Sequence, residues 1–442
     1  MTVARSRSDR RDWLKRAMPR WLVALFDGFV DLLIMLRLAV KIPSTPVDRL
    51  DTPDLVERTD SFNLAAERYF AEHVDRGFQL GKPFSAGEFP RYLFNLGVLS
   101  FWGKLAPGDT VADFGAGSCW VSHFLNLWGC RTIAIDVSKT ALELGQEMFQ
   151  RHPGTRWDLE PRFVVYDGHS IPLEDATCDR VIVHDSFHHV PNQELVMGEL
   201  SRITRDGGIV ALREPGRRHS RAEDSRREAE TTGVLENDIV VEELGRLARS
   251  CGFSKASVVP VTLGGVLEVD TDDFSGFVRG RGWVARLRHS GHALLDAHFI
   301  LLYKGRFQPT TRSNHGLRAQ IELVNGDRLA VAAGSKLDIP IRLRNEGEAR
   351  WLGQSHGTPG MTCVGAHLKD ADDRVVDYDW YRLSLAEDLE PGDERELSLQ
   401  LTAPAVQGLH VVEIDMVAEG VTWFAQQGSP TTRLTVDVLP AP

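Results

Sequence analysis

Between about residue 61 and residue 310, short runs of consecutive apolar residues alternate with stretches in which apolar residues return every three or four positions. Continuous apolar runs suit strands buried on both faces, and the 3.6-residue period suits crossover helices, so the alternation predicts a βαβ sheet. Strands are predicted at Thr110–Phe114, Arg131–Ile135, Arg162–Tyr166, Arg180–His184, Gly208–Arg213, Ala256–Val261 and His298–Tyr303. Helices are predicted between them, for instance at Lys139–Gln150, Glu194–Ile203 and Val240–Ser250. Seven strands with their crossovers amount to one α/β, doubly wound, Rossmann-like domain.

From about residue 316 the helical period disappears. Short runs at Ala319–Leu323, Lys336–Arg344, Thr362–Leu368, Glu396–Leu401, His410–Val417 and Arg433–Val438 recur between turn signals such as Asn325-Gly326, Pro391-Gly392 and Gln407-Gly408. That pattern predicts an all-β sandwich over 316–442, with 305–317 as the linker.

The first sixty residues differ from both. Residues 21–40 form a broad apolar face at helical period (Leu22, Leu25, Phe26, Phe29, Leu32, Leu33, Leu36) beside a narrow strip of Asp27 and Asp31. Asp27, Asp31 and Arg37 interrupt the run too often for a transmembrane span. Two readings stand: an amphipathic helix docked on the protein's own body, or one lying in a membrane interface through residues 1–42, with Trp13, Trp21 and the arginines at headgroup level. Residues 41–60, with Pro43 and Pro46, read as a polar linker. No secretory signal is present, because the apolar run carries charges and lacks a small-residue cleavage pattern.

Composition narrows the function. The 442 residues are 42% hydrophobic and 26% charged, which excludes a disordered chain or a membrane bundle. Residues 1–20 hold seven Lys/Arg against two acids, yet the whole chain carries −11, so nucleic acid is not expected as a partner. Cys119, Cys130, Cys178, Cys251 and Cys363 are far apart without a CxxC pair, which suits a reducing cytoplasm and argues against a disulfide framework.

The richest chemistry follows the first strand. Asp113, Gly115 and Gly117 stand where a strand turns into a helix and the backbone must come close to a ligand. The next strand ends in Asp136, about 20 residues after Gly115, the offset at which a carboxylate grips ribose hydroxyls. The third ends in Asp167-Gly168, where an acid can accept from an adenine amino group. A pyrophosphate ligand does not fit, since Trp120 stands at the last glycine of a G-x-G-x-x-G spacing and Asp113 flanks the loop. The acids suit a ligand with a positive end and no phosphates.

With the run from Asp179 to His189 and that from Leu200 to Gly208, these residues resemble a class I S-adenosylmethionine-dependent methyltransferase, closely over residues 95–215. The resemblance implies S-adenosylmethionine as cofactor. Asp113, Phe114, Gly115 and Gly117 would lie against its methionine part, Asp136 and Val137 at the ribose, Asp167 and Gly168 at the adenine, and His184 near the sulfonium. Cys119 replaces the family's third glycine and is expected to push the following helix from the loop.

Methyl transfer from a sulfonium needs alignment and, for a hydroxyl acceptor, a base. His188 and His189 follow the fourth strand at the crevice rim, so one of them is expected to be the base, with Glu214 orienting it or the acceptor; the alternative is that the pair only shapes the pocket. His152, His169, His219, His292 and His298 are scattered, and no trio has metal-ligand spacing, so no metal is expected; the weaker reading is a divalent ion held by Asp185, Glu214 and a substrate diol. The arginine-rich insert Arg213–Arg227 reads either as a cover receiving an anionic acceptor or as a solvated helix.

Residues 344–351, 389–393 and 415–424 resemble the immunoglobulin-like accessory domains of bacterial polysaccharide-assembly and O-antigen export proteins. Trp351, Tyr378, Trp380, Trp423 and Phe424 either stack on sugars or form the core. The resemblances imply a cytoplasmic enzyme, peripheral on the inner membrane face, that methylates a hydroxyl of a surface glycan or its lipid-linked precursor. The alternatives are a lipid, quinone or small-metabolite acceptor, and a glycan-binding scaffold with a vestigial methyltransferase domain.

Overall fold

A computed structural model describes residues 53–217, 219–260 and 297–440. The basic head with its apolar helix, Arg218 of the insert, and His292 lie outside the described residues. Among the described residues, no helix is long and apolar enough to cross a membrane.

Among the described residues, four helices precede the sheet: α1 (Pro53–Glu57), α2 (Thr59–Arg68) prolonged by a π-helical turn at Tyr69–His73, α3 (Arg76–Leu80) and α4 (Phe89–Trp102). Helix thus begins inside the stretch read as a linker. Then come β1 (Thr110–Phe114), α5 (Trp120–Trp128), β2 (Arg131–Asp136), α6 (Lys139–Arg151), β3 (Arg162–Val165), β4 (Cys178–His184), α7 (Gln193–Ile203), β5 (Thr204–Pro215), α8 (Glu223–Thr232), α9 (Val241–Ser250), β6 (Lys255–Val259) and β7 (Ala297–Tyr303).

These strands form one sheet in the order β3-β2-β1-β4-β5-β7-β6. Strands β1 to β5 run parallel, whereas β7 is antiparallel to β5 and β6. Both faces are packed, as the apolar runs require. Val111 and Ile182 join Leu96, Leu99 and Leu125 on one side, while Ala112, Val181 and Val183 join Met197 and Leu200 on the other. Helix α6 shows how local sequence sets an element. Ser138 caps it by accepting from the Ala141 N–H at 3.0 Å, and Ala141, Leu142, Leu144, Met148 and Phe149 bury one stripe. Crossovers leave β1 and β4 in opposite senses, so a crevice opens at their carboxyl ends.

The C-terminal part contains β8 (Ala319–Leu323), β9 (Arg328–Ala332), β10 (Lys336–Asn345), β11 (Thr362–Asp370), β12 (Val375–Ser384), β13 (Glu394–Thr402), β14 (Gly408–Ala418), β15 (Thr422–Trp423) and β16 (Thr432–Leu439). Two sheets, β13-β10-β8 and β12-β11-β14-β16-β9 with β15 on β14, enclose one core that includes Ile341, Leu343, Val364, Ile414 and Met416. Strands β9 and β12 lie at sheet edges and bury little, which is why alternation did not reveal them. Trp351 and Phe424 are core, with ring centroids 5.2 Å apart, so sugar stacking does not apply to them. Trp423 is also buried, beneath the Arg382 guanidinium, whereas Tyr378 is exposed.

The segment read as a linker is a tied joint. Buried Arg312 reaches the foot of the first sheet, 3.2 Å from Asp109 and 3.5 Å from Asp179, and Thr311 Oγ1 donates to the Gly360 carbonyl at 2.6 Å.

Candidate functional site

A cavity of about 290 Å³ lies at the carboxyl ends of β1 and β2. Phe114, Gly115, Asp136, Val137 and Gly168 line it from the sheet side. Helix α2 and its π turn contribute Phe62, Asn63, Ala66, Tyr69 and Phe70; Lys82, Asp185, Ser186, His189 and Glu228 complete the polar wall. Glu67 fastens α2 over the site by accepting from Ser138 Oγ (2.7 Å) and Thr140 N (3.2 Å) at the start of α6. Burial works against that carboxylate, but the Thr140 and Ser138 hydrogen bonds hold its pKa below the usual value.

The loop after β1 holds three alternate left-handed positions, Gly115 (φ 68°), Gly117 (φ 51°) and Cys119 (φ 61°). A side chain on Gly115 would also overlap Ser186, so only glycine fits. Asp136 accepts from Gly117 N and Ser138 N at 2.8 Å each. Burial nevertheless pushes its carboxyl up to about 6, because two N–H donors do not replace a full hydration shell. Further donors from a ligand diol would satisfy it.

Cys119 packs toward a glycine of α6. Its side chain occupies the space over Gly145 of α6, where a Cβ would collide with Sγ and stand 2.7 Å from Cys119 Cβ. The missing glycine of the loop is supplied by a glycine opposite.

Three residues expected at the ligand have local partners in the structure. Asp113 is buried outside the cavity lining and accepts from Ser122 N (3.0 Å) and Ser122 Oγ (2.7 Å), which anchors α5. Asp167 is turned to its own loop, accepting from His169 N (2.8 Å) and Ser170 N (2.7 Å), while neighbouring Gly168 does line the cavity. The His184 ring is packed between Tyr92 and Trp120, with centroids at 5.9 and 5.4 Å, and lies outside the lining. A side chain ending a buried strand must satisfy itself locally, and short loops offer N–H groups nearer than any ligand.

The histidine pair divides into two roles. Glu214 is fully buried and accepts from Ser186 N (3.1 Å), Phe187 N (2.8 Å) and His188 N (3.2 Å), with His188 Nδ1 at 2.7 Å. It orients His188. Burial alone would lower the His188 pKa; the Glu214 hydrogen bond and charge reverse this and raise it. His188 is itself buried outside the lining, so His189 is the histidine that faces the cavity. Enclosure and the neighbouring His188 charge push His189 down to about 4, which keeps it neutral at physiological pH. Its Nδ1 stands 2.6 Å from the Leu235 carbonyl, an acceptor only, so Nδ1 carries the proton and Nε2 the lone pair.

Of the two acids named for a divalent ion, Asp185 is ion-paired to Arg213, and Glu214 accepts from three backbone N–H groups. Among the described residues of the insert Arg213–Arg227, none lines the cavity; the acid Glu228 just beyond it does, while Arg217 pairs with Glu242 at 3.0 Å. Sequence reasoning missed Tyr69, Lys82, Glu228 and Glu236. Tyr69 and Lys82 precede every motif. Glu236 sits in an irregular segment, 2.6 Å from His219 Nε2, where no periodicity marks it.

Residues 112–212 match the family model of a methyltransferase domain. The chain is 30% identical over 113 residues to a sarcosine/dimethylglycine N-methyltransferase of Halorhodospira halochloris, covering 25% of this chain and 39% of that protein. It is 26% identical over 160 residues to the 2-methyl-6-phytyl-1,4-hydroquinone methyltransferase of Synechocystis, covering 35% and 48%. These matches span less than half of each relative's length. Among solved structures, a putative sarcosine dimethylglycine methyltransferase from Galdieria sulphuraria is similar at 17% identity and TM-score 0.36, covering 56% of this chain and 98% of that one. The strand order and the family match together give the first part of the chain a Rossmann-like methyltransferase fold.

Proposed function

We propose that this protein is an S-adenosylmethionine-dependent methyltransferase acting on a hydroxyl of a small polyhydroxylated acceptor, such as the terminal sugar of a surface glycan or of its lipid-linked precursor. One observation carries the hydroxyl reading: a neutral imidazole, His189, lines the cavity with its proton fixed on Nδ1, leaving Nε2 to take a proton.

The cofactor fits the residues present. Asp136 is a buried carboxylate short of donors, which a ribose diol supplies, and Gly115 brings the backbone against the cavity. Asp136, Asp185 and Glu228 make the wall acidic, which favours a cationic sulfonium and repels phosphates. When bound, S-adenosylmethionine supplies a methyl group already activated by positive sulfur.

The chain's own groups do the rest. Helix α2 and the π turn screen the site from water, with Phe62 and Phe70 as apolar surface. Tyr69 donates its hydroxyl to Glu228 and, raised to about 12 by burial and that acid, stays protonated beside the acceptor space. His189 Nε2 receives the hydroxyl proton, a contribution of about 10²–10⁴-fold. Holding donor and acceptor in line contributes several kcal/mol more.

A second reading, a quinone or small-metabolite acceptor, is favoured by the activities named for the similar proteins. The membrane contact of residues 1–42 and glycan recognition by the C-terminal sheets belong to the first reading. Calorimetry with S-adenosylmethionine tests the shared premise: micromolar binding lost in Asp136→Ala is expected, and no binding by the folded protein sinks both readings. Transfer of labelled methyl into cell-envelope fractions, rather than into soluble metabolites, separates them.

A further inference from the structure

A second cavity of about 290 Å³ lies between α3, α5 and the end of α6. Its floor is apolar: Leu80 from α3, Phe124 and Leu127 from α5, and Met148 from α6. Phe84 stands at its lip and is 62% exposed. Its ring lies 5.8 Å from that of Phe89 and 6.0 Å from that of Phe124, centroid to centroid, so the exposed apolar surface is contiguous rather than scattered.

The polar lining of this groove has one sign. Lys82, Arg151, His123 and His152 contribute to it, and no acid does among the described residues. Gly154 N donates to His152 Nδ1 at 3.1 Å, so His152 carries its proton on Nε2 and can donate from there. His123 differs: Thr155 Oγ1 donates to the Phe149 carbonyl (2.6 Å) and therefore accepts from His123 Nε2 (3.3 Å). Arg151 and Arg76 share the carboxylate of Glu147, which leaves one of the two positive charges unmatched. Lys82 lines the first cavity as well, beside Asp185 and Glu228, yet makes no ion pair among the described residues. It joins an acidic cavity to a basic groove backed by hydrocarbon. A ligand spanning both needs a hydroxyl-bearing head, an anionic link and an apolar tail.

We propose that this groove binds a single-chain lipid phosphate, its chain on Leu80, Phe124, Leu127 and Met148 and its phosphate at Lys82, Arg151 and His152. Three donor groups suit the several acceptor oxygens of a phosphate better than the two of a carboxylate. In the proposed reaction the chain belongs to a lipid-linked acceptor whose sugar hydroxyl enters the first cavity past Lys82. That placement rests on the proposed reaction, whereas binding of a lipid phosphate does not.

The test titrates the full chain with decyl phosphate, below its micelle concentration, in a calorimeter with and without saturating S-adenosylmethionine. Saturation at about one equivalent, unaffected by the cofactor, is expected. Lys82→Met and Arg151→Glu should each weaken binding about tenfold, as loss of a charge-assisted hydrogen bond does, with the circular dichroism spectrum retained. Leu127→Glu, which sets a carboxylate on the apolar floor, should weaken it at least as much. Uncharged decyl maltoside and the carboxylate decanoate should both bind more weakly than decyl phosphate. Absence of saturable binding, displacement by the cofactor, equal affinity for either analogue, or binding untouched by both Lys82→Met and Leu127→Glu overturns the proposal. Flotation on phosphatidylglycerol vesicles that Leu127→Glu abolishes, without binding of monomeric decyl phosphate, makes this face a membrane contact and overturns it too. A protein that binds S-adenosylmethionine but not decyl phosphate refutes this inference alone; the reverse refutes the methyltransferase reading alone.

Discussion

Alanine at Gly145 is the sharpest probe of how the cofactor loop is built. In an unconstrained helix, Gly→Ala gains about 1 kcal/mol. Here the new methyl meets Cys119, whose thiol already fills the space. Overpacking of a buried site costs about 1–3 kcal/mol, so Gly145→Ala should lose about 0–2 kcal/mol net. Cys119→Gly relieves a left-handed residue, worth about 1 kcal/mol, but gives up a similar burial of the thiol and should be near neutral. In the double variant the alanine methyl takes the vacated volume and the helix gain returns, so the two changes should couple favourably by about 2 kcal/mol. Urea unfolding of the four proteins, followed by tryptophan fluorescence with Trp120 adjacent to Cys119, measures the cycle. Additive effects, or a stabilising Gly145→Ala single variant, would refute the compensation between these two positions.

Only ionised Asp136 accepts both ribose hydroxyls, and its pKa is about 6, so cofactor affinity should be about tenfold weaker at pH 5 than at pH 7; a flat calorimetric profile contradicts this. The same raised value means that the empty folded protein binds this proton more tightly than the unfolded chain, so this group's contribution to stability is lost as pH rises through about 6. His189→Ala should lower turnover about 10²–10⁴-fold with unchanged cofactor affinity, and equal loss of both would reassign it to binding. Arg312→Ala removes one of the two arginines facing buried Asp109 at the joint, leaving Arg180, while Arg205 still pairs with Asp179; a loss of about 3 kcal/mol and faster proteolysis within 305–317 are expected, and wild-type stability would show the joint to be incidental.

Much of the architecture was legible from one dimension. Strands β1, β2 and β4 are buried on both faces, so they must be continuous apolar runs, and the offset from Gly115 to Asp136 spans one βαβ step whose length is nearly fixed. Edge strands β9 and β12 escaped because little of them is buried and no period is imposed.

The amino-acid order by itself determined the sheet, the glycine turn and Asp136, since each follows from spacing along one chain segment. Tertiary packing alone decided that Asp113 and Asp167 serve their own loops, that Glu214 holds His188, and that Glu236 meets both histidines from a distant segment. Periodicity records which face of an element is buried, whereas a polar side chain's partner is whichever group the folded chain brings within hydrogen-bonding reach, and no local pattern encodes that.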